Sequence, residues 1–362
     1  MNCVIACGGT AGHINPGIAI AHLIRKAYPQ MSVTFIGTPD SMEERLVKEA
    51  GYPIRTVPMQ GLKRKLTLSN IKTGYLMIKA KRQIKGILAS LMPRFVIGTG
   101  GYVCYPTLKA AISLGIPTCV HESNAVLGLA VKLLAPNVDR IWLGFSTAVR
   151  EIKQKEKAAL VGNPLRPAFL VSQSKGAARN ALGIPHSDFV VLSFGGSRGS
   201  EAINRTMADL MTGDLPKPIK LIHICGESHY EQYRDAAKGT SHTLLAYTDQ
   251  MPQLMRAADL VIARCGAMTL TELAHTGAAA ILVPSPYVAA NHQYKNAQAL
   301  CQAGAAEMIE EEQFEPQRVK QAIVRLYASP SARSRMKQMM IAQAQTDTEG
   351  RILREIERLL CE

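Results

Sequence analysis

Twice in this chain an apolar run ends in a glycine-rich loop, passes into a helical pattern and is followed by a second apolar run. The first copy runs from Asn2 to Ala6 and through Cys7-Gly8-Gly9-Thr10-Ala11-Gly12-His13. It continues past a helix start at Pro16 and a helix carried by residues 18 to 27, and reaches the run from Val33 to Ile36. The second copy takes residues 189 to 194 as strand, Gly195-Gly196-Ser197-Arg198-Gly199-Ser200 as loop, 202 to 211 as helix and 220 to 225 as strand. Strands that alternate with helices pair in parallel, and a parallel sheet needs helices on both faces. Two such starts predict an α/β chain with two Rossmann-like units facing each other. The stretch Gly162-Asn163-Pro164-Leu165-Arg166-Pro167 cannot continue a regular element and marks the join. The expected domains are 1–165 and 166–346.

The bounds agree with that reading. At 362 residues the chain has room for two domains of ordinary size, at roughly 150 residues each. No apolar run reaches membrane-spanning length, and the N-terminus enters a strand without a charged leader, so the protein is expected to stay inside the cell. Eight cysteines are scattered without a CxxC pair, which fits reduced structural thiols. The net charge of +14 is concentrated. Between Glu49 and Glu122 there is no acidic residue, while Arg55, Lys63, Arg64, Lys65, Lys72 and six further basic residues lie there.

A third glycine loop sits inside the first unit. The strand ending near Ile97 runs into Gly98-Thr99-Gly100-Gly101-Tyr102, a helix follows over residues 107 to 114, and the strand from Pro117 to Val120 delivers His121-Glu122-Ser123-Asn124 to the same edge. One nucleotide would not need both sets of loops, so two phosphorylated substrates are expected, one per domain.

The densest chemistry lies between Ala257 and Ala297. An apolar run ends in Arg264-Cys265-Gly266, a helix carries Met268, Leu270 and Leu273 until Gly277 stops it, and a second run closed by Pro284 and Pro286 precedes a helix opening near Asn291-His292-Gln293. Helix N-termini with free N–H groups attract phosphate, and Gly266 allows close approach. Glu272, about one turn in, can accept from both ribose hydroxyls, or it is an exposed glutamate favoured by the helix dipole alone.

With these residues in view, GGTAGH at Gly8, GGYV at Gly100, HESNAVLG at His121, GNPLR at Gly162, GGSRG at Gly195, RCGAMTLTE at Arg264 and ANHQYKNA at Ala290 resemble, in order, the motifs of the MurG family. The resemblance spans nearly the whole chain. It implies the two-domain GT-B glycosyltransferase fold, with the C-terminal helix, about 347–362, returning to a first domain that faces acceptor and membrane. It implies transfer of N-acetylglucosamine from UDP-N-acetylglucosamine to lipid I, with inversion, forming lipid II for peptidoglycan at the cytoplasmic face of the bacterial membrane.

Carried over by motif, Thr10, Ala11, Gly12, Asn124, Arg166, Ser197, Thr248, Ala267, Met268, Thr269, Leu270, Thr271, Glu272 and Gln293 would bind the donor, and Gly100, Gly101 and Tyr102 the acceptor diphosphate. Departures are Ala11 for a usual glycine, Cys265 for serine, Arg198 for glutamine and Ala278-Ala279 for leucine-proline. The base is His13 or Glu122, since both follow strand ends of the first domain, with His13 favoured because a histidine needs little shift to accept a proton near pH 7. No Asp-x-Asp pair is present, so neither metal nor cofactor is expected.

Two further readings stay open. From Ser69, a candidate cap, to Leu91, apolar residues including Ile71, Leu76, Ile78, Ile84, Ile87 and Leu88 mix with Lys72, Lys79, Lys81, Arg82 and Lys85. That pattern is either a core helix with a solvated basic face or a helix docking on an anionic membrane. Rival functions are another GT-B enzyme, such as a diacylglycerol glycosyltransferase, and a nucleic-acid-binding protein. The last is opposed by the lack of interleaved aromatics other than Tyr75 in the basic segment, so no nucleic-acid partner is expected.

Overall fold

The computed structural model describes residues 1–59, 68–196 and 199–361, and of residues 68–78 the backbone alone. The chain divides into two compact units, Met1–Arg166 with Gln345–Glu362, and Pro167–Ala344.

The first unit holds β1 (Asn2–Ala6), β2 (Ser32–Gly37), β3 (Ile54–Thr56), β4 (Val96–Gly98), β5 (Thr118–Glu122), β6 (Arg140–Leu143) and β7 (Ala158–Leu160). They form one parallel sheet in the order β3-β2-β1-β4-β5-β6-β7. Both faces are buried, and alternate residues serve opposite cores. Val4 and Ala6 of β1 pack with Ile84, Leu88, Leu108 and Val120 on one side. Cys3 and Ile5 pack with Ile20, Ile24, Phe35 and Trp142 on the other, together with Ile352, Ile356 and Leu359 of the last helix, Thr348–Cys361.

The second unit holds β8 (Phe189–Phe194), β9 (Ile219–Ile224), β10 (Thr243–Leu245), β11 (Leu260–Ala263), β12 (Ala280–Leu282) and β13 (Ala306–Met308). This sheet is parallel too, in the order β10-β9-β8-β11-β12-β13. In each unit the strand order runs outward in both directions from one central pair, β1/β4 in the first and β8/β11 in the second. A crevice opens at such a reversal, beyond the carboxyl ends of the strands. The loops that follow these four strands therefore flank the crevice of their unit.

Several boundaries differ from the sequence-based expectation. The first helix begins at Ala11 and runs to Ala27, so Pro16 lies inside it and His13 falls in its first turn. Its start is set by Thr10, whose extended backbone (φ −148, ψ 154) offers a carbonyl to the N–H groups of His13 and Ile14. β5 continues two residues past Val120, because His121 and Glu122 pair in register with Trp142 and Leu143. The helix expected over 107–114 is Cys104–Ile112.

The basic helix spans Leu68–Leu91, which places Ser69 inside it and rules out a capping role there. Where its side chains are described, Ala80, Ile84 and Leu88 enter the core with Ile87 and Leu91 against it. Lys79, Lys81, Arg82 and Lys85 are exposed. That half is a core helix with a solvated basic face. Ile71, Lys72, Leu76 and Ile78 lie outside the described side chains.

Candidate active site

In the first unit, the loops after β1 and β4 are pressed together by glycines. Gly101 has a left-handed backbone (φ 83), and a Cβ on it would stand 2.1 Å from the Gly8 carbonyl oxygen. Gly100 (φ 108) leaves room for the His13 ring, whose Nδ1 would be 2.3 Å from a Cβ there. Only glycine supplies both the conformation and the space at these positions. The Thr99 hydroxyl donates to the His13 carbonyl at 2.7 Å. Burial lowers the pKa of His13, opposed by a hydrogen bond of its ring to the Thr99 backbone. The imidazole is thus held neutral and oriented through its contacts with the β4 loop, the state a proton acceptor needs.

Glu122 is 3% exposed. One carboxylate oxygen accepts from the Asn124 N–H and its Nδ2, both at 2.9 Å, and the other from the Gly128 N–H at 2.7 Å. Three donors from its own loop hold this carboxylate. The same loop is tied to the 162–166 turn, since Asn163 Nδ2 donates to the Ser123 carbonyl at 3.0 Å and His121 Nε2 meets the Gly162 carbonyl at 3.1 Å. Asn124 and Arg166 thus belong to one loop cluster of the first unit. Thr10 and Gly12 are exposed at the start of helix Ala11–Ala27, Ala11 is half-buried, and Tyr102 follows the β4 loop.

In the second unit, helix Ala267–Thr276 starts at the end of β11 and helix His292–Gln302 follows β12, its neighbour in the sheet. Neither has an acid in its first turn. The same holds for helix Ala11–Ala27. The positive ends of these dipoles are therefore not neutralised by an acid in their own first turn, which favours an anion there. Gly277 closes helix Ala267–Thr276 in the left-handed conformation (φ 65).

Glu272 is 7% exposed, which excludes the exposed-glutamate alternative. Ala267, Met268, Thr269, Leu270 and Thr271 form the first turns ahead of it, with the Thr271 hydroxyl returned to the Ala267 carbonyl at 2.9 Å. Gln293, second in its helix, accepts from the Ser285 N–H at 2.9 Å, and Asn296 Nδ2 donates to the Cys265 carbonyl at 3.2 Å. Ala290 and Asn291 precede that helix with φ of 51 and 49, a conformation alanine rarely adopts. Thr248 is half-buried in the loop after β10, its hydroxyl accepting from the Gln250 N–H at 3.0 Å. Ser197, and with it Arg198, lies outside the described residues.

Sequence reasoning passed over the groups that hold these loops in place. Arg264 is 9% exposed and donates to the Val283 carbonyl at 3.2 Å and the Ser200 hydroxyl at 2.6 Å, besides its ion pair with Glu311. It cross-links loops that follow four strands. Behind them, Ser193 Oγ, His223 and Asn204 form a buried chain of 2.8 and 3.1 Å that ends on the Cys225 carbonyl. A histidine inside one apolar strand run and an arginine just past the end of another were the available signals.

Two parallel-sheet units, each with glycine loops at its central reversal, give the GT-B fold, and the family models make the chain a glycosyltransferase. Residues 3–143 match the glycosyltransferase family 28 N-terminal domain and residues 190–352 the glycosyltransferase family 28 C-terminal domain. A UDP-N-acetylglucosamine–N-acetylmuramyl-(pentapeptide) pyrophosphoryl-undecaprenol N-acetylglucosamine transferase of Acetivibrio thermocellus is 40% identical over 342 residues, covering 93% of this chain and 92% of the relative. One of the same name from Caldanaerobacter subterraneus is 38% identical over 359 residues, covering 97% and 98%. The crystal structure of Acinetobacter baumannii MurG superposes with a TM-score of 0.76 at 26% identity over 99% of both chains. The chain belongs to this MurG family of UDP-N-acetylglucosamine transferases.

Proposed function

We infer that this chain transfers N-acetylglucosamine from UDP-N-acetylglucosamine to the N-acetylmuramyl sugar of lipid I, forming lipid II, with inversion and without a metal. The observation that carries the reading is the family membership, at 40% identity over 93% of the chain. The second unit takes the donor. The N-terminal N–H groups of helix Ala267–Thr276 donate to the diphosphate, Glu272 accepts from the ribose hydroxyls, and Gln293 binds the sugar hydroxyls. The first unit takes the acceptor diphosphate at Gly100-Gly101-Tyr102.

In the chemical step the acceptor hydroxyl oxygen attacks the anomeric carbon. The bond from that carbon to the diphosphate breaks, UDP leaves with the electron pair, and the hydroxyl proton passes to His13. The neutral, oriented ring of His13 supports this assignment over Glu122, whose two oxygens already serve loop donors. Glu122 then shapes the loop that presents Asn124. Arg166 and the helix dipoles balance the charge that develops on the leaving UDP. Full transfer in excess chelator, and its loss in His13→Ala, test the scheme.

The enzyme works as a peripheral protein on the cytoplasmic face of the cell membrane. No helix among the described residues is long and apolar enough to cross a bilayer. The exposed Lys79, Lys81, Arg82 and Lys85 support attraction to anionic lipid, at about 1 kcal/mol for each charge near the surface.

A further inference from the structure

We propose that Glu43 is a positioning residue for the acceptor, a buried carboxylate that fixes the glycine loop after β1 to Tyr102 of the loop after β4. Glu43 is 1% exposed, in the first turn of helix Met42–Glu49, which follows β2. One carboxylate oxygen accepts from the Gly9 N–H at 3.2 Å. The other accepts from the Thr38 hydroxyl at 2.7 Å and the Tyr102 hydroxyl at 3.4 Å, and these two hydroxyls lie 3.1 Å apart. A buried carboxylate is costly unless such donors surround it.

The backbone around it is cleared to admit it. A Cβ on Gly8 would lie 2.9 Å from a Glu43 oxygen, and one on Gly37 would lie 2.9 Å from Glu43 Cγ. Gly9, with a left-handed φ of 89, packs on the Tyr102 ring, which a Cβ would meet at 3.3 Å. Three strand ends, β1, β2 and β4, thus converge on one carboxylate beneath the loops. A carboxylate that only capped its own helix would need neither Gly9 nor Tyr102. What Glu43 sets is the height of the β1 loop and the direction of the Tyr102 hydroxyl, and therefore the surface that the two packed glycine loops present to the acceptor.

The inference rests on the reading of those loops as the acceptor site. If the parent enzyme does not transfer sugar to a lipid I analogue, that reading fails. If it does, steady-state kinetics with each substrate varied tests Glu43 separately. Glu43→Gln keeps the volume but replaces one acceptor with a donor. It is expected to raise KM for the lipid I analogue roughly 10-fold, as for one lost polar contact. kcat at saturating acceptor and UDP affinity should stay within about twofold. Because Glu43 acts through Tyr102, the double variant with Tyr102→Phe should be no worse than the worse single variant.

Thr38→Val, which removes the hydroxyl between them, should give the same split and decides the matter should Glu43→Gln not fold. An unchanged acceptor KM overturns the proposal. So does an additive double variant, or a loss of kcat and UDP affinity in step with thermal stability.

Discussion

The proposal that His13 rather than Glu122 takes the proton rests on what already touches each side chain. Desolvation holds His13 below its ordinary pKa. The active, neutral form therefore persists above that pKa, and kcat should fall as pH drops through it. Replacing His13 with alanine should lower kcat by ~10²–10⁴-fold and abolish the acidic limb of the pH profile, while UDP affinity stays nearly constant. A variant that loses donor binding but turns over normally at saturation makes His13 a donor ligand instead. For Glu272, buried in a helix with no competing acid in its first turn, truncation should remove the proposed charge-assisted bonds to the ribose, ~1.5–3 kcal/mol. Calorimetric titration of Glu272→Ala with UDP should show ~10–150-fold weaker binding, and unchanged affinity defeats the ribose assignment. At this scale the sequence was informative about position, as in Gly266 at the start of helix Ala267–Thr276 and Glu272 within it. It was silent where function depends on who hydrogen-bonds whom. Nothing in HESN reveals that the Glu122 carboxylate is spent on Asn124 and Gly128, and nothing in Glu43 reveals that two glycines have been cleared around it.

Among the elements, the last helix shows how a distant segment completes a core. Arg140 makes a two-pronged pair with Glu355 (2.8 and 3.0 Å), and the Trp142 indole N–H donates to the same carboxylate at 3.2 Å. Arg351 reaches the Leu160 carbonyl at 3.1 Å. Glu355→Ala leaves the Arg140 charge and the buried indole N–H without this acceptor, a change of about 3–5 kcal/mol. Thermal unfolding should show the first unit destabilised while UDP affinity, which the proposal places chiefly in the second, holds. Equal loss in both would contradict that assignment. Strands were legible because apolar runs bounded by glycine leave few alternatives, and β1 and β8 begin and end where hydropathy predicts. Helix starts were less so. Pro16 is a common first-turn residue, yet here the first turn is nucleated five residues earlier by the Thr10 carbonyl. The basic helix left two readings open, since pattern alone does not reveal which apolar residues face the core. Ile84 and Leu88 do, so over the described side chains, residues 79–91, the side that remains for a membrane is the charged one. Flotation with anionic vesicles should show binding that salt abolishes, and equal binding to neutral vesicles would refute an electrostatic attachment.

Across the whole molecule, each unit carries a buried neutral histidine. His121 in the first and His223 in the second are pushed down by burial to about 4. Their pKa in the unfolded chain is near 6.5, so the unfolded state binds the extra protons. Stability is therefore full above that value and declines as pH falls toward 4, by up to about 3 kcal/mol for each histidine. Denaturant midpoints between pH 7 and 4.5 should fall accordingly, and a flat profile would mean that these rings are protonated in the fold. The two-unit plan was legible because the same order of elements appears twice, and seven ordered motifs added a substrate to that plan. The measurement that bears most directly on the function is transfer of radiolabelled N-acetylglucosamine from UDP-N-acetylglucosamine to a lipid I analogue, in excess chelator. The expected result is labelled lipid II of inverted anomeric configuration, formed at the same rate with and without the chelator and lost in His13→Ala. Hydrolysis of the donor without labelled lipid, or transfer only after a divalent metal is restored, would contradict it.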